Sequence, residues 1–463
     1  MMPIILLMPC LMIFFVSFIV QLYVFLRRSI IKRSCKETTI AFFHPYCNAG
    51  GGGERVLWAA ICAVQKQYKD VHCVVYSGDS VPAADILNNV ELRFNIKLLR
   101  EIDIVYLKSR FLVEAKYYPF FTLLMQSLGS IIIGLEALLK YVPDIYIDTM
   151  GYAWTFPIFK YLGFCRVVAY VHFPTISTDM LKNVQTRTVS VNNRKYISNS
   201  KFFSFCKLIY YQIFAFFYGL VGRRADVVMV NSSWTRDHIL QLWKKPQLTF
   251  TVYPPCDVSE FNCIPLEIHD GKTQILSIAQ FRPEKNHELQ IRAFHTFLKK
   301  LNCTTKPPIL VLIGSCRHDE DYQRVQMLKN LCSELEITKN VEIKINLSFQ
   351  DIIKEMKNSF IALHTMKEEH FGIGIVECMS AGLIMIAHNS GGPKMDIVID
   401  YNGKKTGFLA SDLNSFADTM ELVWKMNSRD LNEIQINARQ SVSRFSSNKF
   451  ETTFLSAFRI ISV

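Results

Sequence analysis

The chain has 463 residues, half of them hydrophobic, and a formal net charge of +12. This length suggests two to three domains, and the apolar content is ample for more than one core. The basic charge points to nucleic acid or to an anionic membrane surface; because no arginine-rich recognition helix, zinc finger or aromatic RNA-binding motif occurs, we favour the membrane and expect no nucleic-acid partner.

The first 26 residues carry no charge. As a helix, Pro3 to Leu26 would be about 36 Å long, enough for a hydrocarbon core of about 30 Å. A cleaved signal peptide fits less well, because no basic region precedes the apolar run. We predict a membrane anchor over residues 1–26 and a basic juxtamembrane segment over 27–38. The positive-inside rule then places the body in the cytosol and the N-terminus across the membrane, because five cations follow the anchor: Arg27, Arg28, Lys32, Arg33 and Lys36.

Cysteine and sequon positions bear on the same question. Thirteen cysteines are scattered without CxxC pairs, which is typical of reduced thiols in a cytosolic protein. Sequons begin at Asn231, Asn302 and Asn346. A cytosolic body predicts that all three are unmodified.

A first series of strands and helices follows the anchor. Thr39 to Phe43 predicts a strand and Glu54 to Tyr68 a helix, and the runs VHCVVYS, DIYIDT, RVVAYVH and ADVVMVN predict further strands. Their near-continuous apolar character favours a parallel sheet covered on both faces. We predict a Rossmann-like domain over residues 39–256 and a linker over 257–272.

Two stretches of the first domain are unusually apolar, at residues 117–139 and 202–221. Each approaches the length of a membrane span but contains a charge or many aromatic residues. We predict helices that lie in or against the bilayer surface. Buried core helices and true spans remain as alternatives.

A second alternating series begins with QILSI and contains the further strands PILVLIG, VEIKI, FIALHT and IMIAH. Helices are predicted at Lys285 to Lys300 and Glu320 to Leu335. We predict a second Rossmann-like domain over residues 273–445 and a C-terminal helix over 446–463 that packs back on the first domain. Two such series predict doubly wound domains that face a cleft, with ligands at the carboxyl ends of the strands.

Four consecutive glycines, Gly50 to Gly53, follow the first strand and open a helix. Backbone N–H groups at such a turn can approach an anion, so Gly51, Gly52 and Gly53 are candidate donor-binding residues. A flexible turn is the alternative.

In the second domain, Arg282 and Lys285 follow the first strand, where two cations suit a diphosphate leaving group without a metal. Solvated surface charge is the alternative.

The segment from His364 to Val398 holds the densest set of candidates. Glu369 and Glu377 are eight residues apart, about 12 Å along a helix, which is too far for a hydrolytic carboxylate pair. We predict instead that Glu369 meets the sugar from a loop and that Glu377, one turn into a helix, accepts from ribose hydroxyls. The backbone N–H groups of Phe371, Gly372 and Ile373 would bind sugar hydroxyls or phosphate. A capped helix with surface glutamates is the alternative.

His172 ends a strand of the first domain beside Pro174. A sugar contact or an electrostatic role is predicted for it, and a structural histidine is the alternative. No Asp-x-Asp motif stands near a strand end, so we expect no metal cofactor.

Together these motifs resemble the retaining family-4 glycosyltransferases of GT-B fold, through the glutamates at Glu369 and Glu377 and the cations at Arg282 and Lys285. A closer resemblance, carried by FFHPYCNAGGGGERVLWAA, YVHFPTISTDML, NSSWT, YPPCD, AQFRPEKNH and EEHFGIGIVECMSAG, is to the endoplasmic-reticulum α-1,2-mannosyltransferases of dolichol-linked N-glycan assembly. It runs from about Thr39 to the C-terminus, and it implies an acceptor-side domain over residues 39–256 and a nucleotide-sugar-binding domain over 273–445.

The resemblance implies two rounds of mannose transfer, the fourth and fifth mannose, from GDP-mannose to Man3GlcNAc2-diphosphodolichol. It places this reaction on the cytosolic face of the endoplasmic reticulum, among other mannosyltransferases. Guanine and mannose are not identified by composition or spacing. A transferase for another sugar nucleotide or lipid acceptor, and a non-catalytic scaffold of a mannosyltransferase complex, therefore remain as alternatives.

Overall fold

The computed structural model describes residues 18–19, 21–25, 37–187, 195–266, 273–301 and 307–461, with the backbone alone at 195 and 196. These residues divide into two compact units. Unit 1 takes the described parts of Met1–Asn231, Thr235–Val252 and Glu451–Val463, and unit 2 those of Ser232–Trp234 and Tyr253–Phe450. Each unit has its own parallel sheet and its own buried core.

Unit 1 is built on a seven-stranded parallel sheet in the order β3-β2-β1-β4-β5-β6-β7. Its strands are β1 (Thr38–Phe43), β2 (Val71–Ser77), β3 (Asp103–Tyr106), β4 (Ile145–Asp148), β5 (Arg166–Val171), β6 (Val227–Val230) and β7 (Thr249–Thr251). Parallel neighbours need crossover connections. A 3-10 helix (Ala153–Thr155) and a π-helix (Ile158–Leu162) connect β4 to β5. The other crossovers contain the α-helices of unit 1: α1 (Gly52–Gln67), α2 (Ala83–Phe94), α3 (Thr122–Lys140), α4 (Thr178–Gln185), α5 (Lys195–Ser198), α6 (Lys201–Gly222) and α7 (Ser233–Trp243).

Burial along the strands explains why this sequence forms a doubly covered sheet. Every residue of β1 from Thr39 to Phe43 is buried, as a strand covered on both faces requires. Aromatic side chains fill the layer that includes the inner side of α3. There Tyr146 and Phe159 stack with their ring centroids 3.7 Å apart, and Phe43 contacts Tyr76 and Tyr146.

Unit 2 is built on a six-stranded parallel sheet in the order β10-β9-β8-β11-β12-β13, which is the 3-2-1-4-5-6 order of a doubly wound fold. Its strands are β8 (Gln274–Ile278), β9 (Ile309–Gly314), β10 (Val341–Ile345), β11 (Ser359–His364), β12 (Ile384–His388) and β13 (Phe408–Ala410). Its helices are α8 (Val258–Asn262), α9 (His287–Lys300), α10 (Asp319–Glu334), α11 (Phe349–Asn358), α12 (Ile373–Ser380), α13 (Leu413–Trp424) and α14 (Ser428–Ser441).

The central strands of unit 2 alternate between two apolar layers. Ile275 and Leu310 belong to the layer that holds Phe294 of α9. Leu276 and Val311 belong to the opposite layer, which includes the buried side of α12. Two covered faces account for the unbroken apolar runs of these strands.

Helix α15 (Ser447–Phe458) is followed by a short 3-10 helix (Arg459–Ile461), and the chain from Glu451 onward belongs to unit 1. Lys66 Nζ contacts the Glu451 carboxylate at 2.7 Å, and the Tyr68 ring lies against Phe458. A short helix, α8, lies within the predicted linker, and residues 267–272 of that linker lie outside the described residues. The predicted anchor also lies outside them, except at 18–19 and 21–25, as does the basic segment except at Glu37 and Thr38.

Helices α3 and α6 are long and apolar enough to cross a membrane, by length and composition. Both are integral to unit 1. Helix α3 is followed directly by β4, which pairs with β1, and α6 is followed directly by β6, which pairs with β5. A spanning helix would put the strands before and after it on opposite sides of the bilayer. Since those strands share one sheet, true spans are incompatible with this fold.

One side of both helices is nonetheless exposed. Tyr23, in the described helical segment 21–25, donates a hydrogen bond to the Leu139 carbonyl oxygen of α3 at 3.4 Å. Phe121 and Tyr210 bring α3 and α6 together, with ring centroids 5.4 Å apart. Apolar side chains remain exposed along both helices: Leu124, Met125, Leu128, Ile132, Leu139, Phe202, Phe203, Phe205, Ile209, Ile213, Phe216 and Phe217.

Candidate active site

The strand order of unit 2 reverses between β8 and β11, which are neighbours in the sheet. Loops that follow two such strands diverge and open a crevice at the carboxyl edge, where doubly wound folds hold their ligands. The loop after β8 carries Arg282 and Lys285. The loop after β11 carries Glu369 and leads into α12, which carries Glu377. The structure therefore brings the predicted unit 2 residues to one edge of one sheet.

Glu369 is a buried carboxylate at this edge, with 9% of its surface exposed. Its Oε2 accepts from Lys285 Nζ at 2.5 Å and from His364 Nε2 at 3.0 Å. Burial alone would raise the pKa of Glu369, but the hydrogen bond from His364 and the charge of Lys285 outweigh burial and hold the pKa far below its usual value. Such a carboxylate stays ionised and is a weak base, so it suits hydrogen bonding to hydroxyls better than proton transfer.

Lys285 is held in place by the loop after β11. The Thr365 hydroxyl donates to the Lys285 carbonyl oxygen at 2.9 Å and accepts from the Gln290 side-chain amide at 2.9 Å. The Lys285 ammonium contacts Met366 Sδ at 3.1 Å as well as Glu369. An ammonium has three donors, and these contacts account for two.

Arg282 lies in a different environment from Lys285, although only three residues separate them. It precedes the short 3-10 helix Pro283–Lys285, and its side chain is exposed. Lys285 is therefore a fixed cation of the crevice, whereas Arg282 is a cation at its solvent side.

A glycine turn after β12 supports the Glu369 loop. Ser390 Oγ accepts from the Glu368 N–H at 2.8 Å, and the Gly392 N–H donates to the Glu369 carbonyl oxygen at 2.8 Å. Gly391 has a φ of +61°, and a Cβ there would overlap that same carbonyl oxygen. Close backbone approach and a left-handed conformation thus both require glycine at 391.

Helix α12 begins at Ile373, and its N-cap Gly372 has a φ of +110° and no side-chain cap. The first N–H groups of a helix have no partner within it, so this end favours an anion or a hydroxyl oxygen. Glu369 lies in the loop and Glu377 lies on α12, half-buried. These are the local structures that the sequence predicts for the two glutamates.

Two histidines of unit 2 were missed by sequence reasoning. His364 ends β11 and is a direct partner of Glu369. His287, at the start of α9, is 2% exposed; burial, followed by the charges of His364 and Lys285, lowers its pKa to about 4 and keeps it neutral. The rule that singled out His172, a polar residue at the end of an apolar strand, would also have found His364.

Unit 1 has its own reversal of strand order, between β1 and β4. His44, directly after β1, contacts Thr149 Oγ1 through Nδ1 at 2.8 Å and Glu54 Oε1 through Nε2 at 3.2 Å. Glu54 Oε2 accepts from the Gly51 N–H at 2.5 Å. Burial would raise the pKa of Glu54, but the hydrogen bond and charge of His44 lower it. The glycine turn is therefore already capped by a carboxylate of its own helix.

The glycine turn and His172 lie together in unit 1. A Cβ added at Gly53 would lie 3.5 Å from His172 Nε2, and that nitrogen is 3.1 Å from the Thr149 carbonyl oxygen. Sequence reasoning missed His44 and Glu54, although both flank the glycines. In the described parts of both units, no three His, Cys, Asp or Glu side chains gather as a metal site would need.

Two protein-family models match separate parts of the chain. Residues 37–243 match the family described as "ALG11 mannosyltransferase N-terminus", and residues 260–441 match "Glycosyl transferases group 1". A Homo sapiens protein named GDP-Man:Man(3)GlcNAc(2)-PP-Dol alpha-1,2-mannosyltransferase is 53% identical, over 92% of this chain and 87% of its own length. A Dictyostelium discoideum protein of the same name is 47% identical, over 92% and 85%.

Solved structures agree at the level of the fold. The crystal structure of Anabaena Alr3699/HepE in complex with UDP and glucose superposes with a TM-score of 0.63, at 15% identity, over 91% of this chain and 100% of that one. The apo lipopolysaccharide outer core galactosyltransferase WaaB gives 0.59 at 16%, over 91% and 99%. Two Rossmann-like units and these neighbours establish the GT-B fold. The chain belongs to the family of GDP-Man:Man(3)GlcNAc(2)-PP-Dol alpha-1,2-mannosyltransferases.

Proposed function

We propose that this chain is a retaining α-1,2-mannosyltransferase that adds the fourth and fifth mannose from GDP-mannose to Man3GlcNAc2-diphosphodolichol. The observation that carries the proposal is the 53% identity, over 92% of the chain, to a human relative whose name states this donor, acceptor and linkage. The ordered contacts around Glu369 support an active enzyme and disfavour a scaffold with a decayed site.

Catalysis is proposed to proceed by departure of GDP from the face that the acceptor attacks. The bond between mannose C1 and the diphosphate oxygen breaks, the acceptor oxygen bonds to C1 on the same face, and the α configuration is retained. Lys285 and Arg282 balance the charge on the departing diphosphate without a metal. A phosphate oxygen of GDP takes the proton of the acceptor hydroxyl.

Unit 2 is the proposed donor-binding unit. Glu369 accepts from mannose hydroxyls, the N–H groups of Phe371, Gly372 and Ile373 meet sugar hydroxyls or phosphate, and Glu377 accepts from the ribose hydroxyls. The uncapped start of α12 supports the second of these roles. Lys285 shares its charge between Glu369 and the diphosphate when the donor is bound.

Unit 1 is the proposed acceptor-side unit. His172 contacts the transferred sugar or stabilises charge beside it, and its proximity to Gly53 supports a joint role with the glycine turn. Because Glu54 occupies the Gly51 N–H, the N–H groups of Gly52 and Gly53 carry most of the proposed contact between residues 51–53 and the donor.

The proposed location is the membrane of the endoplasmic reticulum, with the N-terminus in the lumen, the catalytic body in the cytosol and other mannosyltransferases as neighbours. The exposed apolar sides of α3 and α6 support a surface that lies along the bilayer. In sealed microsomes, added protease is expected to digest both units without detergent. Protection of either unit would contradict this orientation.

An assay of the detergent-solubilised full chain tests the reaction. We expect GDP-mannose and lipid-linked Man3GlcNAc2 to give a product heavier by two hexoses, undiminished by a metal chelator. E369A is the matched inactive control. UDP-glucose is the competing donor, because a structural neighbour holds UDP and glucose. Transfer from UDP-glucose but not from GDP-mannose would overturn the donor, and loss of activity with chelator would overturn the metal-free mechanism.

A further inference from the structure

The exposed apolar side of α6 ends in a basic turn. Phe216 and Phe217 are exposed one to two turns before the helix ends at Gly222, and Arg223 and Arg224 follow with exposed side chains. Since α6 leads into β6, this turn lies at the amino edge of the sheet. His172 and the glycine turn lie at the opposite, carboxyl edge.

Two lysines from other parts of unit 1 converge on the same turn. Lys160 Nζ donates to the Arg224 carbonyl oxygen at 3.0 Å and to Asp226 Oδ1 at 2.5 Å. Lys245 Nζ donates to the Arg223 carbonyl oxygen at 3.0 Å and to the Ala225 carbonyl oxygen. These contacts account for two of the three donors of each ammonium.

The turn therefore carries an excess of positive charge. Lys244, next to Lys245, adds a fifth cation and is exposed. Within the described chain, Asp226 is the acidic side chain that forms an ion pair with this group. Burial, followed by the charge of Lys160, lowers the pKa of Lys245, although the charge of Asp226 opposes this shift.

Aromatic side chains border the cations. The Arg224 guanidinium lies over the Tyr161 ring, 5.7 Å from its centroid, and Tyr161 is 47% exposed. Phe164, four residues after Lys160, is 58% exposed. Cations beside exposed aromatic rings, at the end of an exposed apolar helix, are typical of a surface at the level of lipid headgroups.

We propose that Lys160, Arg223, Arg224, Lys244 and Lys245 form a binding site for the headgroup phosphates of anionic phospholipids. The site continues the apolar side of α6, so acyl chains cover the phenylalanines while phosphates meet the cations. A nucleic acid would satisfy the charge but leave those phenylalanines in water. The inference rests on the membrane association proposed above and adds a lipid preference to it.

The test uses the full chain in dodecyl maltoside micelles that contain either dioleoylphosphatidylserine or dioleoylphosphatidylcholine, with retained lipid counted by native mass spectrometry. We expect saturable retention of phosphatidylserine over phosphatidylcholine. R223A/R224A/K244A should lower the affinity for phosphatidylserine roughly 100-fold, because each of the three cations contributes about fivefold. The matched control is K329A/K339A/K357A, which removes the same charge from exposed positions of unit 2 and should retain the lipid as the unchanged protein does.

Four results would overturn the site: equal retention of both lipids, equal loss in both triple variants, full displacement by millimolar inorganic phosphate, or poly(U) binding that depends on these cations while lipid retention does not. Mannosyl transfer in detergent separates this inference from the proposed function. R223A/R224A/K244A should transfer mannose as well as the unchanged chain, because the cations lie at the edge of the sheet opposite His172. If the chain retains phosphatidylserine but transfers no mannose, the proposed function is wrong and the lipid site stands.

Discussion

Both units place a buried glutamate beside a histidine where the strand order reverses, but the pair follows β1 in unit 1 and lies at and after the end of β11 in unit 2, and the two glutamates have different partners. In unit 1, Glu54 belongs to the first turn of α1 and binds the Gly51 N–H and His44. In unit 2, Glu369 comes from the loop before α12 and binds Lys285 and His364. The start of α1 is thus capped from within, whereas the start of α12 has no side-chain cap. One arrangement completes the fold, and the other leaves a charged loop and a helix end for a ligand.

Removing Lys285 tests the arrangement in unit 2 most directly. K285A should reduce turnover at saturating GDP-mannose by a factor of about 10²–10³, because the departing diphosphate loses its fixed cation. K329A, an exposed lysine of the same unit, is the matched control and should be neutral. K285A also leaves the buried Glu369 without a partner, which destabilises the fold. Thermal unfolding therefore has to show that the variant is folded before its turnover is compared. Near-unchanged turnover of folded K285A would refute the role of Lys285.

Substitution in the glycine turn that supports the Glu369 loop should strongly reduce the stability of the chain. G391A introduces both a left-handed alanine and an overlap with the Glu369 carbonyl oxygen, for a cost of roughly 2–5 kcal/mol in the free energy of unfolding. Gly403 is the matched control, because its φ is +74° and a Cβ there meets nothing within 4 Å. G403A should lose only about 1–2 kcal/mol. Equal losses in urea unfolding would show that backbone strain, and not support of the Glu369 loop, explains Gly391.

Much of this architecture follows from the sequence, because buried parallel strands give continuous apolar runs. The predicted strands VEIKI and IMIAH are confirmed as β10 and β12, and QILSI as β8. Strands β3, β7 and β13 were missed, since each has only three or four residues and little periodicity. The loop position of Glu369 and the helical position of Glu377 followed from the glycines between them.

The partners of the predicted site residues could not be read from the sequence. Lys285 and Glu369 are 84 residues apart, and their contact depends on β8 and β11 being neighbours in the sheet. His364 is five residues from Glu369 and ends an apolar strand, a position that allows either a structural or a functional histidine, and its contact with Glu369 is visible only in the folded chain. Glu54 was read only as the start of a helix, and its role as the cap of the glycine turn needed the contact with Gly51.

The cap in unit 1 should matter for stability more than for chemistry. E54A removes the partner of the buried His44 and the acceptor for the Gly51 N–H, so it should lower the free energy of unfolding by roughly 1–3 kcal/mol. Turnover of the folded fraction should fall far less than in K285A. Urea unfolding and the transfer assay, run on one preparation, give both numbers. If E54A keeps full stability but loses turnover as K285A does, the two glutamates are functionally alike and the contrast fails.

A pH-dependent effect on stability is expected at another carboxyl of unit 1, Asp148, at the end of β4. Burial raises its pKa to about 7, although the Met150 and Gly151 N–H groups donate to it. The folded chain therefore holds this proton more tightly than the unfolded chain, whose aspartates titrate near pH 4. The contribution of Asp148 to the free energy of unfolding should be largest below pH 4 and should fall, by at most about 1.4 kcal/mol per pH unit, until about pH 7.

D148N should remove that slope, in urea unfolding between pH 5 and 8, whatever its effect on overall stability. Glu369 supplies the contrast, since its pKa is low and it stays ionised over this range, so E369Q should leave the slope unchanged. Parallel curves for D148N and the unchanged chain would mean that Asp148 is already ionised in the folded protein.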